Sequence, residues 1–184
     1  MSGTTEQEAA AEAGSRQIRI AAAADMHFDG TSPGGLRDLF AEIDRSADIL
    51  ALCGDLTTHG RADQMRTFVD ELAGVHIPIV AVLGNHDYES DAQSEMMAIL
   101  RDRGVYVLDG DNVIIHDIGF AGTKGFAGGF GRGALAPFGE RLIKDFVQAA
   151  IDESIKLENA LRNLRSETKV VLLHFSPIVE TVLG

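Results

Sequence analysis

Four apolar runs in this chain each stop at side chains able to bind a metal ion or move a proton. Ile18-Arg19-Ile20-Ala21-Ala22-Ala23-Ala24 stops at Asp25-Met26-His27, and Asp48-Ile49-Leu50-Ala51-Leu52-Cys53 stops at Gly54-Asp55. Ile77-Pro78-Ile79-Val80-Ala81-Val82-Leu83 stops at Gly84-Asn85-His86-Asp87, the richest of the four, and Lys169-Val170-Val171-Leu172-Leu173 stops at His174. A buried polar group without a partner costs stability. Four strands that all end this way point to one shared ligand rather than to four unrelated caps.

The residue types specify the chemistry. On an extended backbone Asp-x-His sends alternate side chains to one side, so Asp25 and His27 are expected to bind one ion together. Gly54 allows a sharp turn before Asp55, whose two carboxylate oxygens can bridge two cations. Asn85 offers a carbonyl oxygen, and His174 offers an imidazole from another strand. Oxygen and imidazole donors without sulfur suit two divalent ions of manganese, iron or zinc over calcium or an iron–sulfur cluster. Two such ions hold a hydroxide between them and clamp the oxygens of a phosphoryl group during in-line attack. His86 is then placed to touch the leaving oxygen or the phosphate, with Asp87 orienting its imidazole. His59, soon after Asp55, is a candidate for the lining of the site. His76 and His116 are read as a strand-entrance and a sheet histidine.

Around these residues, short apolar strands alternate with amphipathic segments, the pattern of an α/β domain with a largely parallel sheet. Leu36, Leu39, Phe40 and Ile43 recur at helical spacing, as do Met65, Phe68, Val69 and Leu72, and Met96, Met97, Ile99 and Leu100 before Gly104. Val105 to Leu108, Val113 to His116 and Phe120 to Gly122 read as short strands, with Asp109-Gly110-Asp111-Asn112 as a hairpin turn. Seven glycines lie between positions 119 and 133 without a strict nucleotide-binding spacing. They predict a mobile loop over the site, with Lys124 and Arg132 able to meet an anion. A long helix is expected from about Phe138 to Arg165, with Leu142, Phe146, Ala149, Ile151, Ile155 and Leu161 as its apolar stripe.

At 184 residues the chain fits one domain. Residues 1–15 read as a disordered tail and not a secretory signal, because they lack an apolar core behind basic residues. No apolar stretch approaches the ~20 residues of a membrane span. A single cysteine, Cys53, excludes an internal disulfide and fits the cytoplasm; it reads as a small buried hydrophobe. A net charge of −12 argues against a nucleic-acid-coating role, since phosphate contacts require a basic face.

The motifs resemble those of the calcineurin-like metallophosphoesterases. Asp25-Met26-His27, Gly54-Asp55, Gly84-Asn85-His86-Asp87 and His174 match the family's blocks in identity, order and approximate spacing. The resemblance implies a layered αββα sandwich and hydrolysis of a phosphoester, with a small phosphodiester preferred. By that resemblance Asp25 and His27 hold the first metal and Asn85 and His174 the second, Asp55 bridges them, and His86 is the acid or phosphate-binding histidine. The family's closing Gly-His-x-His, one histidine for each metal, does not follow His174. The expectation is therefore a domain over 16–184 that lacks its C-terminal strands and holds its metals incompletely. Its open C-terminal edge would invite pairing with a second copy. The alternative is a catalytically impaired metal-binding scaffold or partner-binding module on the same fold.

Overall fold

The computed structural model describes residues 17–183, so the tail expected over residues 1–15 lies outside them. Four parallel strands form the first sheet in the order β1 (Ile20–Ala23), β2 (Ile49–Cys53), β3 (Ile79–Val82) and β4 (Tyr106–Val107). Between them run α1 (Arg37–Ser46), α2 (Ala62–Glu71) and α3 (Gln93–Asp102). The second sheet pairs β5 (Asp111–Ile115) antiparallel with β6 (Ile118–Thr123), and β6 parallel with β7 (Thr168–Leu173). The long α4 (Arg141–Asn163) links β6 to β7, and a short α5 (Glu180–Leu183) follows.

The central strands are unbroken apolar runs because both of their faces are covered. Leu50, Leu52, Ile79 and Ala81 face Phe40 of α1, Phe68 of α2 and Met96 of α3. Their neighbours Ile49, Ala51, Val80 and Val82 face Phe120 and Leu172 of the second sheet. On that sheet's outer side Ala121 meets Ala160 and Leu164, from α4 and its C-terminal end. The result is the expected helix–sheet–sheet–helix layering. Among the described residues no helix is long and apolar enough to cross a membrane.

Three local expectations give way to tertiary context. Asp109-Gly110 is not a hairpin turn, because it carries the chain from β4 in one sheet to β5 in the other. The hairpin turn is His116-Asp117, between the paired Ile115 and Ile118, with φ values of 50° and 64°. Both residues are left-handed, as a two-residue turn between twisted strands requires. His116 is thus a turn residue and not a strand residue. The strand expected over Phe120 to Gly122 does form as part of β6, which also takes in Gly119 of the glycine-rich run. The expected stripe of α4 is largely turned outward: Leu142 is 76 % exposed and Ile155 48 %, while Val147 and Ala160 are buried.

Candidate metal centre

Parallel strands end on one side of their sheet, so β1, β2 and β3 deliver their terminal residues to a common edge. The β1–β2 pairing continues past the strands. Asp25 N–H donates to Gly54 O, His27 N–H to Asp55 O and Phe28 N–H to Leu56 O, each at 3.0 Å. Along this extension Asp25, His27 and Asp55 have φ values of 54°, 43° and 49°. The Asp25-Met26-His27 segment is therefore kinked, not extended as the Asp-x-His spacing predicts. Left-handed backbone at a non-glycine residue costs about 1–3 kcal/mol and persists only where surrounding bonds over-determine it. Here the continued ladder holds the strained residues.

Two glycines make room for the donors. A Cβ on Gly54, whose φ is 90°, would lie 2.6 Å from His174 Nδ1. A Cβ on Gly84 would overlap the carboxylate and backbone nitrogen of Asp55. The residues before Asp55 and Asn85 are small because a side chain from another strand occupies the space.

The donors gather into two groups that share Asp55: Asp25, Asp55 and His174, and His27, Asp55 and His86, with donor atoms within 4.8 Å of one another in each. Both pairs implied by the resemblance also lie close together, Asn85 with His174 and Asp25 with His27. His174 Nε2 stands 3.0 Å from Asn85 Oδ1 and 3.4 Å from Asp55 Oδ1. His27 Nε2 is 3.8 Å from Asp55 Oδ2 and 3.9 Å from Asp25 Oδ1. The rings of His27 and His86 meet edge to face at 4.8 Å.

Hydrogen bonding fixes the imidazoles. His174 Nδ1 is 3.0 Å from Cys53 O, and His86 Nδ1 is 3.0 Å from Thr58 O. A carbonyl only accepts, so each Nδ1 carries the proton and Nε2 of the neutral ring presents a lone pair. Histidines that ligate metals are held in this way by an outer partner. For His174, Nε2 then faces Asn85 Oδ1 and Asp55 Oδ1, a cluster of lone pairs that a cation would join. Asp55 has a side chain only 5 % exposed, and its sole ion-pair partners among the described residues are His27 and His174. Its Oδ1 also accepts from His86 N–H at 2.8 Å, and a buried carboxylate grouped with imidazoles and an amide oxygen is a donor set that divalent cations fit.

Asp87 has a different task from the one expected. Its fully buried carboxylate accepts from Leu56 N–H at 3.1 Å, Thr57 N–H at 2.9 Å, Thr57 Oγ1 at 2.8 Å and Gly84 N–H at 2.9 Å. Burial pushes this carboxyl up, against the pull of those hydrogen bonds. It ties the β2 and β3 loops together, and the His86 ring donates to Thr58 O instead. His59 lies at the exposed rim, where Glu89 Oε2 stands 3.3 Å from its Nδ1 and 3.6 Å from that of His86. Arg132 sits on an exposed turn, and Lys124 is turned inward among aromatic rings. The holding carbonyls of Cys53 and Thr58 carry no sequence signal, because every residue type supplies one. Glu89 does carry one: it stands three residues after His86, within reach of that ring on a helical turn.

Fold and site together define a layered α/β protein with a polar, metal-suited edge. The calcineurin-like phosphoesterase family matches residues 18–179, and the chain belongs to that family. This family binds divalent metals, and the two groups are the chain's candidate ligands. No curated protein matches the chain. Among solved structures it is similar to TT1561 of Thermus thermophilus, at 19 % identity and a TM-score of 0.58. The match covers 88 % of this chain and 70 % of that one, and shows a common fold.

Proposed function

We propose that this chain hydrolyses a small phosphoester, with a phosphodiester as the preferred class, using two divalent cations of manganese, iron or zinc. Asp25, His27, Asp55, Asn85 and His174 are the residues that would hold them. The observation that carries this reading is Asp55, a buried carboxylate common to both donor groups. When bound, the ions supply Lewis acidity, which activates water and offsets charge on the phosphoryl oxygens. His86, its Nδ1–H held by Thr58 O, offers Nε2 to the substrate and in its protonated form gives that proton to the leaving oxygen. The kinked loops hold their donors in place before substrate arrives, so little reorganisation accompanies the reaction.

The test is hydrolysis of bis(p-nitrophenyl) phosphate and p-nitrophenyl phosphate by the whole chain under manganese titration, with His86→Asn alongside. We expect manganese-dependent cleavage, faster on the diester. In His86→Asn, kcat on an alkyl phosphodiester assayed alongside should fall ~10²–10⁴-fold with manganese affinity retained. That loss should shrink for the nitrophenolate leaving group relative to an alkyl ester. Loss of manganese along with activity would make His86 a ligand, as its grouping with His27 and Asp55 allows. Manganese binding without hydrolysis of either ester would leave the scaffold reading in place of the enzyme.

A further inference from the structure

Lys124 is a buried cation that the reading above does not use. It follows β6 directly and is only 9 % exposed. Its ammonium lies 5.1 Å from the ring centre of Tyr88, 4.8 Å from that of Phe126 and 5.3 Å from that of Phe175. The ammonium also donates to Gly125 O at 2.9 Å. The three rings come from three different loops. Tyr88 ends the short turn His86–Tyr88, Phe175 follows His174, and Phe126 belongs to the glycine-rich loop.

The backbone of Lys124 is fixed independently of its side chain. Its carbonyl accepts from His174 N–H at 3.2 Å and Phe175 N–H at 3.0 Å. The next residue, Gly125, donates its N–H to Glu153 Oε2 at 3.0 Å, and Thr123 Oγ1 binds the same carboxylate. From this anchored position on the second sheet the side chain reaches the Tyr88 turn on the first. All the donor residues but His174 come from the first sheet. The Lys124–Tyr88 contact thus spans the gap that His174 must cross. For stability alone, an apolar side chain would fill such an aromatic box without desolvating a charge. A cation instead engages several ring faces and a carbonyl at once, which fixes their directions.

We propose that Lys124 is a positioning residue, whose ammonium, held by Tyr88, Phe126 and Phe175, locks the His174 loop against the Asn85–Tyr88 turn. The consequence for metal binding rests on the function proposed above, but the clamp itself does not.

The experiment uses Lys124→Met, Lys124→Arg and Tyr88→Leu in the whole chain, with two readouts. The first is amide hydrogen exchange of the metal-free protein. The turn at 86–88 and the amides of His174 and Phe175 should exchange about tenfold faster in Lys124→Met, with the strand β2 unchanged. Lys124→Arg keeps a cation that stacks on rings, and should return both loops close to wild type. The second readout is affinity for manganese alone, which should fall about tenfold in Lys124→Met, the cost typical of losing an outer partner. Unchanged loop exchange overturns the proposal, and so does acceleration that extends equally into β2. Equal manganese affinity in wild type and Lys124→Met also overturns it, because the tie would then position nothing. If the wild type binds no manganese, the metal reading of the site falls and the exchange arm alone decides the clamp. Should Lys124→Met fail to fold, Tyr88→Leu carries the same expectations from the opposite side of the box.

Discussion

The two halves of this protein are built to different standards. In the first, α1, α2 and α3 cover the β1–β4 sheet with Phe40, Met65, Phe68, Met96 and Leu100, all at most 1 % exposed. In the second, Ala121 meets only Ala160 and Leu164 as buried partners, and α4 leaves Leu142, Phe146, Ile151 and Ile155 exposed. The tightly packed half carries Asp25, His27, Asp55, Asn85 and His86, while the lightly packed half carries His174. The left-handed site residues Asp25, His27 and Asp55 all lie on the first sheet, whereas the second half keeps its left-handed pair, His116 and Asp117, in a hairpin turn away from the site edge. Such strain needs a rigid support, and close packing supplies it. The second half needs only to bring one imidazole into register. It does so through the inter-sheet contacts of Phe120 and Leu172 and the bond from His174 to Cys53 O.

The largest expected effect tests that contrast directly. Phe68→Ala opens a cavity between α2 and the first sheet and should cost about 3–5 kcal/mol. Ile155→Ala on α4 should change stability by no more than about 0.5 kcal/mol. Urea denaturation of the two variants measures both. A loss of several kcal/mol at Ile155 would mean that the exposed face of α4 is covered in solution, and the two halves would then be equal in packing.

The next effect concerns the site within the better half. Asp55→Asn removes a charge common to both donor groups, whereas Asp25→Asn and His174→Ala each weaken one group. Manganese affinity should fall at least about 100-fold for Asp55→Asn, beyond the usual loss from an outer partner, and about tenfold for each of the others. Isothermal titration of the three variants checks the order. Equal losses would contradict a shared role for Asp55 and place the two halves of the site on the same footing.

How far the sequence can be read follows the same division. The first sheet is legible because its strands are apolar runs that stop at polar residues, and α1, α2 and α3 because their apolar spacing is helical. Five candidate ligands and the candidate acid His86 can be named for the same reason, since each stands just past a strand end. The left-handed turns at Asp25 and His27 are not legible. They follow from pairing with Gly54 and Asp55, nearly thirty residues away in the chain. Asp87, adjacent to His86, does not orient that ring because a 3-10 turn sends neighbouring side chains about 120° apart. In the second half, His116-Asp117 lacks the glycine that marks most two-residue hairpins, so Asp109-Gly110 carries the stronger turn signal without making the turn. The Lys124 box joins rings from three separated loops, and no local pattern reveals it.

The smallest effect is a pH dependence in the first half, away from the donors. Asp44 on α1 accepts from His76 N–H at 2.7 Å and Ile77 N–H at 3.0 Å, tying the helix to the entrance of β3. The His76 backbone bond, then its ring, then the Ile77 bond hold this carboxyl below the usual carboxylate range. A carboxyl with a lowered folded-state pKa contributes stability above its unfolded pKa, and that contribution is lost as pH falls through the folded value. The side chain is partly exposed, so solvent screening limits the contribution to about 1 kcal/mol or less. Asp44→Asn should therefore be slightly less stable than wild type at neutral pH, with the gap closing below about pH 4. Denaturation midpoints at pH 7, 5 and 3 measure the gap. A gap that persists unchanged at pH 3 would show that Asp44 acts through the shape of its hydrogen bonds and not through its charge.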